Sequence, residues 1–443
     1  MAPLRSISEL ASAIERSSQA IENGLKGTPG ADFSLALGAP PVLKLDPALE
    51  ATRSELLETI DELRSRVLGP LGYFMATAWP TPSLLAVLHA IYTFDIASQI
   101  PLSPDAEVTY KDLGERCGLP EEDIRRVLQT AIAFRIFEEV SPDISVRHNA
   151  VSSVLAFSGT KDIMGLLLED NWPPAIRFSD SLKRFPGSGE PGHTAQMIAI
   201  RAKEAEAAGS NTIAGKFDDP SKGFFDYIST DEKRVTRFRG AMAFSHSSPA
   251  FFASHFVNSL PWAAEEQCPQ AVVDIGGAGG ELCQLILRTY PGVKKAVSLD
   301  LPEVVANVET PEDIKDRLEF GIYNFINEEV TRQADAYVFR HIFHDWSDQY
   351  AAKILRNLLP ALRPGNKIWL SEVVLPELSD KNHTRDQFQR CADLTMKIGF
   401  NGKERSKRDW TNLFASVDTR FRIANITRPD GAHDSVIEVT FGA

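Results

Sequence analysis

The sequence predicts an α/β protein in two parts. A mainly helical N-terminal half with a winged-helix-type segment precedes an open, Rossmann-like sheet that starts near Gln270. Three observations carry this expectation. The apolar run Ala271–Ile275 breaks into Gly276-Gly277-Ala278-Gly279-Gly280, and a second apolar run, Ala296–Leu299, ends in Asp300. Strand, glycine turn, helix and strand, with an acid about twenty residues past the turn, make a nucleotide-type βαβ unit. Upstream of it, apolar residues recur at helical spacing. A chain of 443 residues also exceeds one ordinary hydrophobic core. The domains are placed at residues 1–260 and 261–443, with the winged segment at about 100–155.

The elements follow in order. Residues 1 to about 30 read as a helix closed by Gly27-Thr28-Pro29-Gly30, and 31–46 as extended and proline-rich. A long helix from Pro47 to Leu68 repeats Leu49, Leu56, Leu57, Ile60 and Leu63; an apolar helix runs from Ser83 to Phe94. Tyr110 to Pro120 and Glu121 to Phe137 read as helix, turn and helix. Ile136–Val140 and Ile144–His148 then alternate like a two-stranded wing. The second of those helices opens with Glu121, Glu122 and Asp123, which would face phosphates unfavourably. Phe185 to Ser221 reads as a polar surface connector, and Asp231 to Leu260 as apolar and helical.

Composition narrows the function. Hydrophobic residues at 43% and charged residues at 24% are those of a soluble globular protein. A net charge of −13 argues against a nucleic-acid partner and against anionic membranes. No run of membrane-span length and no secretory leader is read, so a reducing, cytoplasmic setting is expected. Cys117, Cys268, Cys283 and Cys391 lack the spacing of a zinc framework, and no metal cluster is expected.

The glycine turn alone leaves NAD, FAD and S-adenosylmethionine open, since all three use this geometry. Further motifs narrow it. Ala334 to Asp348 contains Arg340-His341-Ile342-Phe343-His344-Asp345-Trp346-Ser347-Asp348; Asn366 to Pro376 contains Glu372; Gly402-Lys403-Glu404-Arg405 follows. In this order after the glycine turn, these segments resemble the caffeic-acid-type O-methyltransferase family. The similarity is nearest to its fungal, sterigmatocystin-type branch, which methylates polyketide phenols, and covers roughly residues 60–443.

The resemblance implies S-adenosylmethionine under Gly276, Gly277, Gly279 and Gly280, with Asp300 on the ribose hydroxyls and Leu301 against adenine. It implies Asn324, beside Phe325, where the family has an acid for the adenine amino group, and a cation, Arg340, toward the cofactor. Strand alternation would put Arg340 and His344 on one face. His344, beyond an apolar strand-like run, is expected to be a general base of near-neutral pKa that takes a phenol or enol proton. The resemblance assigns Glu372 and Glu404 to flank it; the local sequence alone would leave Glu404 on the surface. Trp346 is expected against adenine. His341 is read either as lining the substrate pocket or as packing. Met396, Phe400 and the aromatics from Phe244 to Phe256 are candidate walls for an aromatic or polyketide-derived substrate. The winged region implies a homodimer. A second activity stays open: relatives on this scaffold bind S-adenosylmethionine yet run pericyclic or dehydrating chemistry on polyketide–pyridone substrates through a cationic donor.

Overall fold

The computed structural model describes residues 5–26, 34–42, 45–207, 219–306, 308–376 and 383–442; the expected helix end at Gly27–Gly30 lies outside them. The chain divides into two units. One comprises Met1–Trp172, Lys233–Phe244 and Asn382–Arg385, the other Pro173–Glu232, Ser245–Lys381 and Asp386–Ala443.

The second unit is built on a seven-stranded sheet. Across it run Phe421–Thr427, Ser435–Phe441, Lys367–Glu372, Ala336–Arg340, Ala271–Ile275, Lys295–Asp300 and Leu318–Ile322. The five strands from Lys367–Glu372 to Leu318–Ile322 are parallel. The two at the other edge are antiparallel. Strand alternation builds two cores. Val273, Ile275, Tyr337, Phe339, Ile368 and Leu370 point to one face, where Leu355, Leu358, Trp410 and Phe414 pack on them. Val272, Ala336, Val338 and Trp369 point to the other, against Phe256, Val257, Leu282 and Ile286. Strands buried on both faces explain the near-continuous apolar runs of the sequence. The chain leaves the Ala271–Ile275 strand toward one edge and returns to its other side at Ala336–Arg340. The strand order therefore reverses between these two, and ligands of such sheets bind outside the carboxyl ends at that point.

The first unit holds the helix Ile7–Gly24, whose Ser6 and Glu9 form a capping box. The helical stretch Pro47–Ala78 breaks at Gly69, which has φ 68°, so the expected end at Leu68 is a real interruption. The unit also holds helices Tyr110–Cys117 and Glu121–Ala133 and a three-stranded antiparallel sheet (Val108–Thr109, Ser145–Arg147, Glu138–Ser141), one strand more than the two expected after the second helix. Leu113, Ile124, Leu128 and Val146 form their core.

Three expectations are corrected. The boundary near residue 260 does not hold: residues 173–232 and 245–260 belong to the sheet unit, because Phe256, Val257 and Leu260 are part of its core. The expected connector from Phe185 to Ser221 contains the helix Ala195–Ala207, with Ala195, Met197, Ile198 and Ile200 buried; residues 208–218 of it lie outside the described ones. The stretch Pro47–Thr93 is, by length and composition only, apolar enough to cross a membrane, where no run of that length was expected.

Candidate active site

At the carboxyl end of Ala271–Ile275 the chain turns sharply through Gly276 at φ 73°, Ala278 at φ 47° and Gly280 at φ 77°. The turn is packed so closely that a Cβ on Gly276 would lie 2.3 Å from Ile342 Cδ1, and one on Gly280 2.8 Å from the Phe320 ring. Beneath it, a Cβ on Gly277 would meet Ser298 Oγ at 2.4 Å and Asp274 Oδ2 at 2.5 Å. Burial, then the charge of Asp300, pushes the Asp274 carboxyl up to about 7. Asp300 ends the next strand. Its carboxylate accepts from the Ala278 N–H at 2.9 Å and the Leu301 N–H at 2.7 Å, which ties turn and acid into one cradle.

The Ala336–Arg340 strand ends one residue before His341, which takes a left-handed φ of 54°. Phe343–Asp345 then form one 3₁₀ turn ahead of the helix Asp348–Leu358. Glu372 ends the neighbouring parallel strand and is buried. Its Oε1 accepts from the Ile342 N–H at 2.9 Å and the Phe343 N–H at 2.7 Å, so this carboxylate holds the backbone that presents His344. Glu404 arrives from beyond the helix His383–Phe400. Lys403 N–H donates to the His344 carbonyl at 3.0 Å, and a Cβ on Gly402 would collide with that same oxygen at 2.1 Å, so only glycine fits there. This approach buries Glu404 and sets its Oε1 3.0 Å from His344 Nδ1. Asp393 accepts from the Glu404 N–H at 2.9 Å behind it. Arg405, with a wholly buried side chain, donates to the carbonyls of Phe343 at 2.6 Å and Trp346 at 2.8 Å, clamping the 3₁₀ turn.

A carboxylate can only accept, so His344 Nδ1 carries a proton toward Glu404, and Nε2 is left to exchange protons. Burial by itself would lower the His344 pKa. The charges of Asp345, Glu404 and Glu372 outweigh it and raise His344 well above its ordinary value. Burial pushes Glu372 up to about 7 and Asp345 up to about 6, with His344 pulling each back and Glu404 adding to the rise. Three acids around one half-buried ring thus move the expected near-neutral base upward. His344, Glu372 and Glu404 each bring one ligand-type atom within 4.8 Å of the others, a grouping that sequence spacing did not show. Glu372 Oε1 is taken by two backbone N–H groups and His344 Nδ1 by Glu404. The second oxygens of Glu372 and Glu404 are buried with no hydrogen-bond partner among the described residues.

Other expected residues are placed differently. Arg340 and His344 do not share a strand face, since the strand stops at Arg340. The Arg340 guanidinium donates to the Phe251 carbonyl at 2.7 Å and feels the charges of Asp434, Asp274 and Glu281. Asn324 does not offer its amide oxygen outward: Oδ1 accepts from the N–H groups of Ile326 at 3.0 Å and Asn327 at 3.2 Å. Only its N–H₂ remains to meet an adenine, at a ring nitrogen. Trp346 stands edge-on to Phe325 at 5.9 Å and near Phe225 at 6.4 Å, and Phe400 lies edge-on to Phe224 at 5.5 Å and tilted against Phe225 at 5.1 Å. Phe224 and Phe225, on the short helix Phe224–Ile228, were not expected in this aromatic wall. Phe256 is core instead, and Phe251 stacks on His433. Met396 is half-buried on the helix that carries Phe400. His341 does not merely pack; it bonds Asp434 at 2.5 Å and His246 at 3.3 Å, partners the sequence did not signal.

Residues 220–418 match the model of the O-methyltransferase domain family. The chain is 30% identical over 433 residues to O-methyltransferase kk1A of Curvularia clavata, covering 98% of this chain and 96% of that protein. It is 30% identical over 407 residues to the grayanic acid biosynthesis cluster O-methyltransferase of Cladonia grayi, covering 91% and 80%. Among solved structures it is similar to OxaC, with a TM-score of 0.74 at 16% identity over 98% of both chains. It is similar also to LepI in complex with SAM, with a TM-score of 0.70 at 19% identity over 97% and 99%. At such identities these two structures bear on the fold.

Proposed function

The chain belongs to the S-adenosylmethionine-dependent O-methyltransferase family, and on that premise we propose that it methylates a phenolic or enolic, polyketide-type small molecule of secondary metabolism, with His344 as the base. The observation that carries the reading is the hydrogen-bonded pair of half-buried His344 and buried Glu404 held at the switch point of the sheet. S-adenosylmethionine, when bound, supplies the sulfonium methyl that the substrate oxygen attacks. The residues present fit it. The close-packed glycine turn leaves backbone where a side chain would stand, and Asp300 offers a carboxylate suited to a ribose diol. Asn324 N–H₂, Phe325 and Trp346 would flank the adenine, with Leu301 beside it.

His344 Nε2 removes the substrate proton as the oxygen becomes nucleophilic, and Glu404 steadies the resulting imidazolium. Glu372 acts by fixing the 342–343 backbone. Phe400, Met396, Phe224 and Phe225 supply the apolar wall. Asp300→Ala should weaken binding of S-adenosylhomocysteine by about 1.5–3 kcal/mol, the scale of hydrogen bonds to a charged group. Unchanged calorimetric affinity in the folded variant would refute the cradle.

The pH dependence follows in sign. Only neutral His344 accepts a proton, and its pKa is raised, so kcat/KM should climb with pH through a midpoint above the ordinary histidine value of about 6.5. Glu404→Gln keeps an acceptor for Nδ1–H but removes one of the charges that lift His344. The acid limb of the profile should therefore move to lower pH. A limb that stays in place would show that Glu404 does not act on this ring.

The raised pKa of His344 also favours a second reading, a pericyclase or dehydratase on the same site. There His344, with Arg340 nearby, would donate a hydrogen bond to a substrate carbonyl and no methyl group would move. Incubation with methyl-labelled S-adenosylmethionine decides: label in the product supports methyl transfer, and a rearranged, unlabelled product supports the other.

The protein is further proposed to work as a homodimer. Leu57, Ile60, Val67, Leu68, Leu71, Phe74, Met75 and Trp79 are exposed along Pro47–Ala78 and its end, a row that a second copy would cover. Light scattering at micromolar concentration should give twice the chain mass. A monomer, or sedimentation with neutral lipid vesicles, would overturn this.

A further inference from the structure

Beside the His344–Glu404 pair lies a second line of polar side chains that the reaction described above does not use. Asp434 opens the segment into the antiparallel strand Ser435–Phe441 and is nearly buried. Its Oδ2 accepts from Ser371 Oγ at 3.0 Å and faces His341 Nε2 at 2.5 Å, while Oδ1 lies 3.2 Å from His433 Nδ1. His341 Nδ1 in turn lies 3.3 Å from His246 Nε2. The rings of His246 and His341 are 5.4 Å apart, and those of His341 and His344 5.5 Å apart, each pair tilted by 31°. His341 reaches this place in a left-handed backbone conformation, φ 54°, that few residues adopt. A ring that only had to fill space would not need it.

The direction of the bonds follows from the carboxylate. Asp434 accepts only, so His341 Nε2 donates to it. Neutral His341 then presents a lone pair at Nδ1, to which His246 Nε2–H donates. That leaves His246 Nδ1 as an acceptor, and it has no protein hydrogen-bond partner among the described residues. His246 stays neutral near pH 7: burial, then the positive charge of Arg340, hold its pKa down at about 4 against the pull of Asp434. This acceptor, oriented through two bonds from a buried carboxylate and one ring along from the His341 that neighbours the base, suits one hydroxyl hydrogen.

We propose that the Asp434–His341–His246 line seats a second hydroxyl of the substrate next to the oxygen at His344, so that the enzyme selects dihydroxy aromatics or their enol equivalents. His246 is then the substrate contact, and His341 and Asp434 are positioning residues. The proposal deepens, and rests on, the reading of the His344 site as one for phenols or enols.

The test uses three probes with the full chain and S-adenosylhomocysteine: 1-naphthol, 1,8-dihydroxynaphthalene and 8-methoxy-1-naphthol, the last having the second oxygen but no hydrogen on it. Calorimetry on the wild type should show the dihydroxy probe bound about tenfold more tightly than the other two, the effect of one well-placed hydrogen bond. His246→Phe should bring the three affinities to within about twofold of one another. His341→Asn, whose side chain tolerates the left-handed conformation, should do the same and covers the case in which the first variant does not fold. Equal or unmeasurable affinities for the wild type, or discrimination that survives in a folded variant, overturns the proposal. Binding and chemistry separate the two readings. Discrimination without transfer of a labelled methyl group to any probe would strike the methyltransferase reading alone. Label transfer without discrimination would strike this one alone.

Discussion

Replacing His344 by glutamine should lower methyl transfer by about 10²–10⁴-fold, the usual contribution of a general base, while leaving the affinity for S-adenosylhomocysteine nearly intact. Glutamine is the informative choice. Its amide N–H can still donate to Glu404 Oε1, now 3.0 Å from Nδ1, so the acid is not left facing an empty space. What disappears is the Nε2 lone pair. The loss corresponds to about 3–5 kcal/mol of barrier, and it should fall on kcat, because the proton moves as the oxygen attacks. Cofactor affinity is the control: Asp300 and the glycine turn bind through groups that His344 does not touch. A variant that keeps its rate would remove the base from this ring. If the wild type instead gives an unlabelled, rearranged product that mild acid does not suppress, His344 serves as a donor, and the raised pKa is the property selected.

The residues differ in how far the sequence could reveal them, and chain distance explains most of it. The glycine turn and Asp300 are legible because a βαβ unit is local: one short segment fixes strand, turn and acid together. His344 is legible for the same reason, standing just past an apolar strand. Glu404 is not. Its neighbours Lys403 and Arg405 mark a surface loop, yet it is buried against a ring 60 residues earlier, and only resemblance to a family pointed to it. Asp434 and His246 lie 93 and 95 residues from His341, and no periodicity links them. Strand alternation misplaced Arg340 because it assumed a regular strand where His341 turns left-handed. Gly and Pro between Phe185 and Ser221 drew attention from the apolar run Ala195–Ile200, whose burial makes Ala195–Ala207 a helix. The raised pKa of His344 was hidden for a further reason: a pKa depends on how many acids tertiary structure gathers, and here it gathers Asp345, Glu404 and Glu372.

Arg405→Met should cost about 2–6 kcal/mol of folding stability, the scale of leaving two backbone carbonyls without their donor at about 1–3 kcal/mol each. The Arg405 side chain is fully buried. Its guanidinium bonds Asp348 Oδ1 at 3.0 and 2.9 Å, the Phe343 carbonyl at 2.6 Å and the Trp346 carbonyl at 2.8 Å, and it lies 5.3 Å from the Trp410 ring. Methionine fills much of the same volume, so cavity formation is not the main cost. The main cost is two carbonyls deprived of their donor, since the Asp348 side chain is 54% exposed and water can replace the bonds it loses. Asp348 is partly compensated, since Lys403 Nζ lies 2.8 Å from its other oxygen; the carbonyls are not. They bracket His344 in the 3₁₀ turn, so the damage reaches function. Where the variant remains folded in the cold, kcat should fall while the affinity for S-adenosylhomocysteine holds, because the clamp sets the ring and not the cradle. Arg405→Lys should rescue little: a point charge cannot serve both carbonyls and the carboxylate at once. Thermal melts and single-turnover rates measure the two effects separately. A stable variant with a normal rate would show that Glu372 alone holds the turn, through the N–H groups of Ile342 and Phe343.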